Sequence, residues 1–103
     1  MIRHIFIAPI KEGISEEKLN KEIALLKAMK DNIPVIIDLK IGRNTGWVGG
    51  ENAVTMVVDL QDKAAFDVYM NHPYHRFING INGTEDDCFI TEGFYSCQIE
   101  CED

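Results

Sequence analysis

Residues 2–9 read Ile2-Arg3-His4-Ile5-Phe6-Ile7-Ala8-Pro9, and the reading of this stretch decides the architecture. Side chains alternate between the two faces of a strand, so Ile2, His4, Phe6 and Ala8 share one face while Ile5 and Ile7 share the other with Arg3. A strand from a sheet with one wet face would set apolar against polar positions. Here both faces need cover. Residues 53–60, Ala-Val-Thr-Met-Val-Val-Asp-Leu, repeat the situation, with Val54, Met56 and Val58 opposite Ala53, Thr55 and Val57.

Outward from these strands the pattern changes period. Gly13 and Ser15 break the first alternation, and Ser15 is a suitable N-cap because Glu16 and Glu17 follow at the positive end of a helix dipole. Leu19, Ile23, Leu26 and either Met29 or Ile33 recur at three-to-four spacing, which predicts an amphipathic helix to about Asp31. Pro34 forbids its continuation. Val35, Ile37, Leu39 and Ile41 then alternate against Ile36, Asp38 and Lys40 as a second strand.

Four glycines between 42 and 52 predict a hairpin-type connection that lacks the pattern of a phosphate-binding loop. Asp62 is placed to cap a helix carrying Ala65, Phe66, Tyr69 and Met70 inward. Pro73 suits the first position of a further helical piece, capped by Asn71 or His72 and running to about Ile81. The last strand centres on residues 94–99, and residues 88–91 are a competing segment, with Gly93 a bulge between them. Glu85-Asp86-Asp87 and the acidic end of the chain are expected as solvated segments.

The chain has 103 residues, about the size of one domain, and a single domain over 1–103 is the expectation. With 46% of residues hydrophobic and 26% charged, the composition is that of a folded globular protein. The apolar runs are too short to span a bilayer, and the N-terminal segment has no signal-peptide pattern, so neither membrane insertion nor export is expected. A net charge of −7 opposes nucleic acid as a partner. Three cysteines, Cys88, Cys97 and Cys101, form no CxxC pair and suit free thiols in a reducing compartment, which points to the cytoplasm.

The order strand, helix, strand, strand, helix, strand is the split βαβ arrangement, an α+β fold in which helices cover one face of a four-stranded antiparallel sheet. Ile5, Ile7 and Val57 then form an apolar patch on the bare face. A second copy of the sheet is its simplest cover, so a homodimer through these residues is expected.

Tyr69-Met70-Asn71-His72-Pro73-Tyr74-His75-Arg76-Phe77 resembles the signature segment of the stress-responsive dimeric α/β barrel family. The opening strand with His4 and the stretch Gly42-Arg43-Asn44 are similar to the family's as well. The resemblance implies a ferredoxin-like fold, a barrel formed at the dimer interface and a cavity between sheet and helices. It implies no single activity. A polyketide cyclase with this pattern uses cavity residues matching Tyr69 and His75, and the likeness extends to His4 and His72 as cavity positions.

The residues themselves support two readings. In one, Leu26, Met56 and Phe66 help wall a pocket for a small apolar or aromatic molecule. In the other, His75 takes a proton from carbon next to a carbonyl, and Tyr69 donates a hydrogen bond to the developing oxyanion, giving cofactor-free lyase or cyclase chemistry. Against both stand plainer roles: Tyr69 as a core tyrosine with a satisfied hydroxyl, His72 as a cap, and His4 as a hydrogen-bonded core residue. No metal is expected, because His4, His72 and His75 are the only histidines and Pro73 disrupts the helical face that His72 and His75 would share. No cofactor is expected either.

Overall fold

The computed structural model describes residues 1–102. Its strands are β1 (Ile2–Pro9), β2 (Ile36–Arg43), β3 (Ala53–Leu60) and β4 (Tyr95–Glu100), and its helices are α1 (Glu16–Lys27), α2 (Met29–Asn32), α3 (Lys63–Asn71) and α4 (Pro73–Asn79). The strands form one antiparallel sheet in the order β2-β3-β1-β4. This is the ferredoxin-like α+β arrangement that the element order predicts.

Register assigns each alternating position to a face. His4 pairs with Val58, Phe6 with Met56 and Ala8 with Val54, and these residues meet Leu19, Leu26, Met29, Ile33 and Tyr69 in the core beneath the helices. On the opposite face Ile5 lies between Val57 and Cys97, and Ile7 between Thr55 and Tyr95. Arg3 sits at the edge of that face, its guanidinium donating from Nε and Nη2 to the two carboxylate oxygens of Asp59 at 2.8 and 3.0 Å.

The caps follow their chemistry. Ser15 Oγ accepts from the Lys18 N–H at 3.1 Å and Asp62 Oδ1 from the Ala65 N–H at 2.9 Å. The first helical segment is divided where one continuous helix is expected: α1 ends at Ala28 and one further turn, α2, carries Met29 into the core.

Two strand expectations change. β2 has a register shift between Ile36 and Asp38. The extra residue moves the alternation by one, so Ile36 points inward with Leu39 and Ile41 while Ile37 is 49% exposed. In the last segment, residues 95–100 form the strand, and Phe89 makes only an isolated bridge to Ile10. Gly93 is no bulge; it lies in a 3-10 turn against Pro9, where a Cβ would stand 2.8 Å from the proline Cγ.

The acidic loop also departs from expectation. Glu85 and Asp86 are exposed, but Asp87 is buried. Its carboxylate accepts from the N–H groups of Gly83 at 2.9 Å and Phe89 at 3.0 Å, so the charge organises the turn that returns the chain to the sheet. Among the described residues no helix is long and apolar enough to cross a membrane.

Candidate functional site

A cavity of about 170 Å³ lies between the sheet and the helices. Its floor is His4 and Phe6 from β1, Met56 from β3 and Ser96 from β4; α1 contributes Glu22 and Leu26, α3 Tyr69, and α4 His75, Ile78 and Asn79. The placement follows from local sequence. Tyr69 is on the inward stripe of α3, and His72 turns the chain by taking extended geometry (φ −64°, ψ 140°) before Pro73. Pro73 then starts α4 in a new direction, which brings His75 back over the tyrosine. The two rings are 4.7 Å apart at their centroids, with planes inclined by 59°.

Tyr69 is fully buried, and its hydroxyl has no hydrogen-bond partner among the described residues. Buried polar groups are nearly always paired, and leaving one unpaired costs about 1–3 kcal/mol, so this hydroxyl, on a residue of the cavity wall, carries hydrogen-bonding capacity that its surroundings do not meet. Burial also raises its pKa far above the ordinary phenol value, keeping it a neutral O–H donor.

The imidazoles are shifted the other way. His75 is held below the ordinary histidine value chiefly by burial, with the Met70 backbone acting in the opposite sense and His72 adding a smaller depression. His4 is lowered by burial and then by His75. Both are therefore neutral at pH 7. His75 Nδ1 is 3.3 Å from Asn79 Nδ2, and His4 Nδ1 is 2.9 Å from Gln98 Nε2. Each contact ties the ring tautomer to the orientation of a side-chain amide.

Of the predicted site residues, His4, Leu26, Met56, Tyr69 and His75 come together around this cavity. His72 and Phe66 are not part of its wall. His72 is the N-cap of α4, its Nδ1 accepting from the Tyr74 N–H at 3.0 Å, which leaves the ring bound to backbone. Phe66 stands behind the wall, its ring 5.6 Å from His4 and 6.4 Å from Tyr69. Ile5, Ile7 and Val57 face away from the cavity, on the other side of the sheet.

Among the wall residues that the sequence reading did not name, Glu22 carries the charge. Glu22 is 7% exposed, and its Oε1 accepts from the Cys88 N–H at 2.8 Å. Leu19, Glu22 and Leu26 are spaced three and four apart, so a carboxylate on the inward stripe of α1 was the available signal. Burial raises its pKa, opposed by the hydrogen bonds from Cys88. The Cys88 thiol is itself pushed up to about 12, by burial and then by the Glu22 carboxyl, which leaves it protonated.

Comparison with known structures shows the same fold over nearly the whole chain. A dimeric ferredoxin-like protein of unknown function from Thermobifida fusca YX shares 22% identity, with 97% of this chain and 90% of that one covered and a TM-score of 0.79. An Arabidopsis thaliana protein shares 18% identity, with 100% and 97% covered and a TM-score of 0.79. The hydroxynitrile lyase of Passiflora edulis shares 14% identity, with 96% and 93% covered and a TM-score of 0.73. No curated protein matches the chain. The model of the stress responsive A/B barrel domain matches residues 2–92, and the chain belongs to that family.

Proposed function

We propose that the protein is a homodimer that binds a small apolar or aromatic molecule in the cavity between sheet and helices. The observation that carries this reading is the unpartnered hydroxyl of fully buried Tyr69 at the wall of a largely apolar cavity. An apolar enclosure with a few convergent polar groups is the usual form of a small-molecule site. Isothermal titration with neutral one-ring and two-ring aromatic compounds tests it. Saturable binding at one site per chain is expected, and the absence of any binding across the series rejects the reading.

The dimer is supported by the outer face of the sheet. Ile5, Ile7 and Val57 are half-buried there, and Ile37, Tyr95 and Ile99 are 49%, 62% and 47% exposed. Exposed apolar residues at the centre of a sheet face favour cover by a second copy, and the Thermobifida relative is described as dimeric. The cytoplasm is the proposed location, which the three free thiols suit.

A second reading is favoured by the juxtaposition of neutral His75 with the Tyr69 hydroxyl. In it the pair performs cofactor-free lyase or cyclase chemistry. His75 would take the proton from carbon on whichever ring nitrogen is unprotonated in the tautomer that Asn79 and the Met70 backbone set. Tyr69 would donate to the enolate or alkoxide oxygen that develops. His75→Ala then removes turnover while leaving the fold, and turnover that survives it rejects His75 as the base. The fold is shared with a lyase, but fold likeness does not carry an activity.

A further inference from the structure

We infer that Glu22 sets the specificity of the cavity by taking the hydrogen-bond donor of the ligand, so that the site selects a neutral aromatic alcohol or phenol over an aromatic carboxylate. The inference rests on the cavity being a ligand site. It adds the chemical class of the ligand and the residue that reads it.

The geometry fixes where the carboxyl group is and what remains free on it. Glu22 stands on the buried face of α1, and Oε1 is pinned by the Cys88 N–H at 2.8 Å. A carboxylate offers about four acceptor positions. Cys88 occupies one through its N–H, while its thiol donates to the Asp86 carbonyl oxygen at 3.9 Å. The remaining capacity belongs to a side chain that forms part of the cavity wall. Lys18 acts on Glu22 through its charge, and its ammonium is engaged with the Glu85 carbonyl oxygen. Asp87 adds further negative potential from the loop side.

The other polar groups of the wall fit the same ligand. Tyr69 keeps a neutral hydroxyl with no partner among the described residues, and the two imidazoles, His4 and His75, are neutral, so among the described residues the wall holds no cation to hold an anionic ligand against Glu22. A hydroxyl both donates and accepts. It can donate to the Glu22 carboxylate, whereas a ligand carboxylate meets like charge in a region of low dielectric. A purely structural Glu22, present to hold the Cys88 N–H, would give no such preference.

The test compares 4-ethylphenol with 4-ethylbenzoate at pH 7 by isothermal titration, on the wild type and on Glu22→Gln. Glutamine keeps an oxygen for the Cys88 N–H and removes the charge. The wild type is expected to favour the phenol by on the order of tenfold or more, as a charge-assisted hydrogen bond would give, and Glu22→Gln to reduce that ratio to about threefold or less. A ratio unchanged by the substitution, or a wild type that prefers the benzoate, overturns the assignment while leaving the cavity a ligand site. Failure of both compounds to bind overturns the assignment, and the ligand site falls with it only where the neutral aromatic series also fails to bind. Should Glu22→Gln not fold, the Cys88 amide resonance of the wild type decides: 4-ethylphenol must shift it and ethylbenzene must not. Equal shifts, or none, reject the role of Glu22.

Discussion

The Tyr69 ring lies 4.7 Å from the His75 imidazole, centroid to centroid, and its hydroxyl, with no exposure to solvent, makes no hydrogen bond among the described residues. The sequence brings these residues together through Pro73. Without a break the helix would carry His75 round its own axis, but the extended residue before the proline lets α4 fold back over α3. A group placed at that cost in hydrogen bonding is suited to an interaction partner from outside the chain.

Removal of this hydroxyl is therefore expected to leave stability intact or improve it. Tyr69→Phe should raise the free energy of unfolding in urea by roughly 1 kcal/mol, because a buried unpaired polar group is removed while the ring packing stays. A loss of that size instead would show that the hydroxyl is already satisfied in the free protein.

The buried histidines give a pH dependence of definite sign. Burial lowers the folded pKa of His4 and of His75 below 6.5, so between the folded and unfolded values the unfolded chain binds more protons. Stability then rises with pH through this window, is fully present above 6.5, and is lost as pH falls below it. Glu22 acts oppositely: its raised pKa gives stability fully present below the ordinary carboxylate value and lost as pH rises through the folded one. Urea unfolding followed from pH 7.5 to about 5 in the Glu22→Gln background isolates the histidines. The slope should be positive with pH and shallower in His75→Gln. An equal slope in that variant would mean His75 is not buried as a neutral group.

How much of this was legible in the sequence follows from which interactions are local. Alternation in residues 2–9 and 53–60 fixes both strands, and the caps Ser15 and Asp62 act within three residues of themselves, so these elements stand where they were expected. The face of Ile37 was not legible, because a bulge depends on the partner strand rather than on the strand's own pattern. Asp87 looked like one more solvated acid. Its burial depends on the Gly83 and Phe89 N–H groups that turn inward around it. In the cavity, the stripes of α1 and α3 placed Leu26 and Tyr69. Periodicity gave no means of telling a wall residue from one behind the wall, as with Phe66, or of separating a cap from a cavity group, as with His72.

The outer face of the sheet yields a prediction of assembly. Ile5→Glu or Val57→Glu places an unpaired carboxylate at the centre of the apolar patch, where burial against a second copy would be costly. Sizing chromatography with light scattering should show the wild type as a dimer and either variant as a folded monomer. Variants that remain dimers would move the interface elsewhere.

The central claim, that the cavity receives a small aromatic molecule at Tyr69 and His75, is tested most directly by NMR of the histidine ring signals during addition of a neutral phenol. The account predicts that the His75 resonances shift or broaden with saturation, that His72 stays unmoved at its cap, and that Tyr69→Phe weakens the response. His75 resonances indifferent to the ligand in both proteins would contradict it.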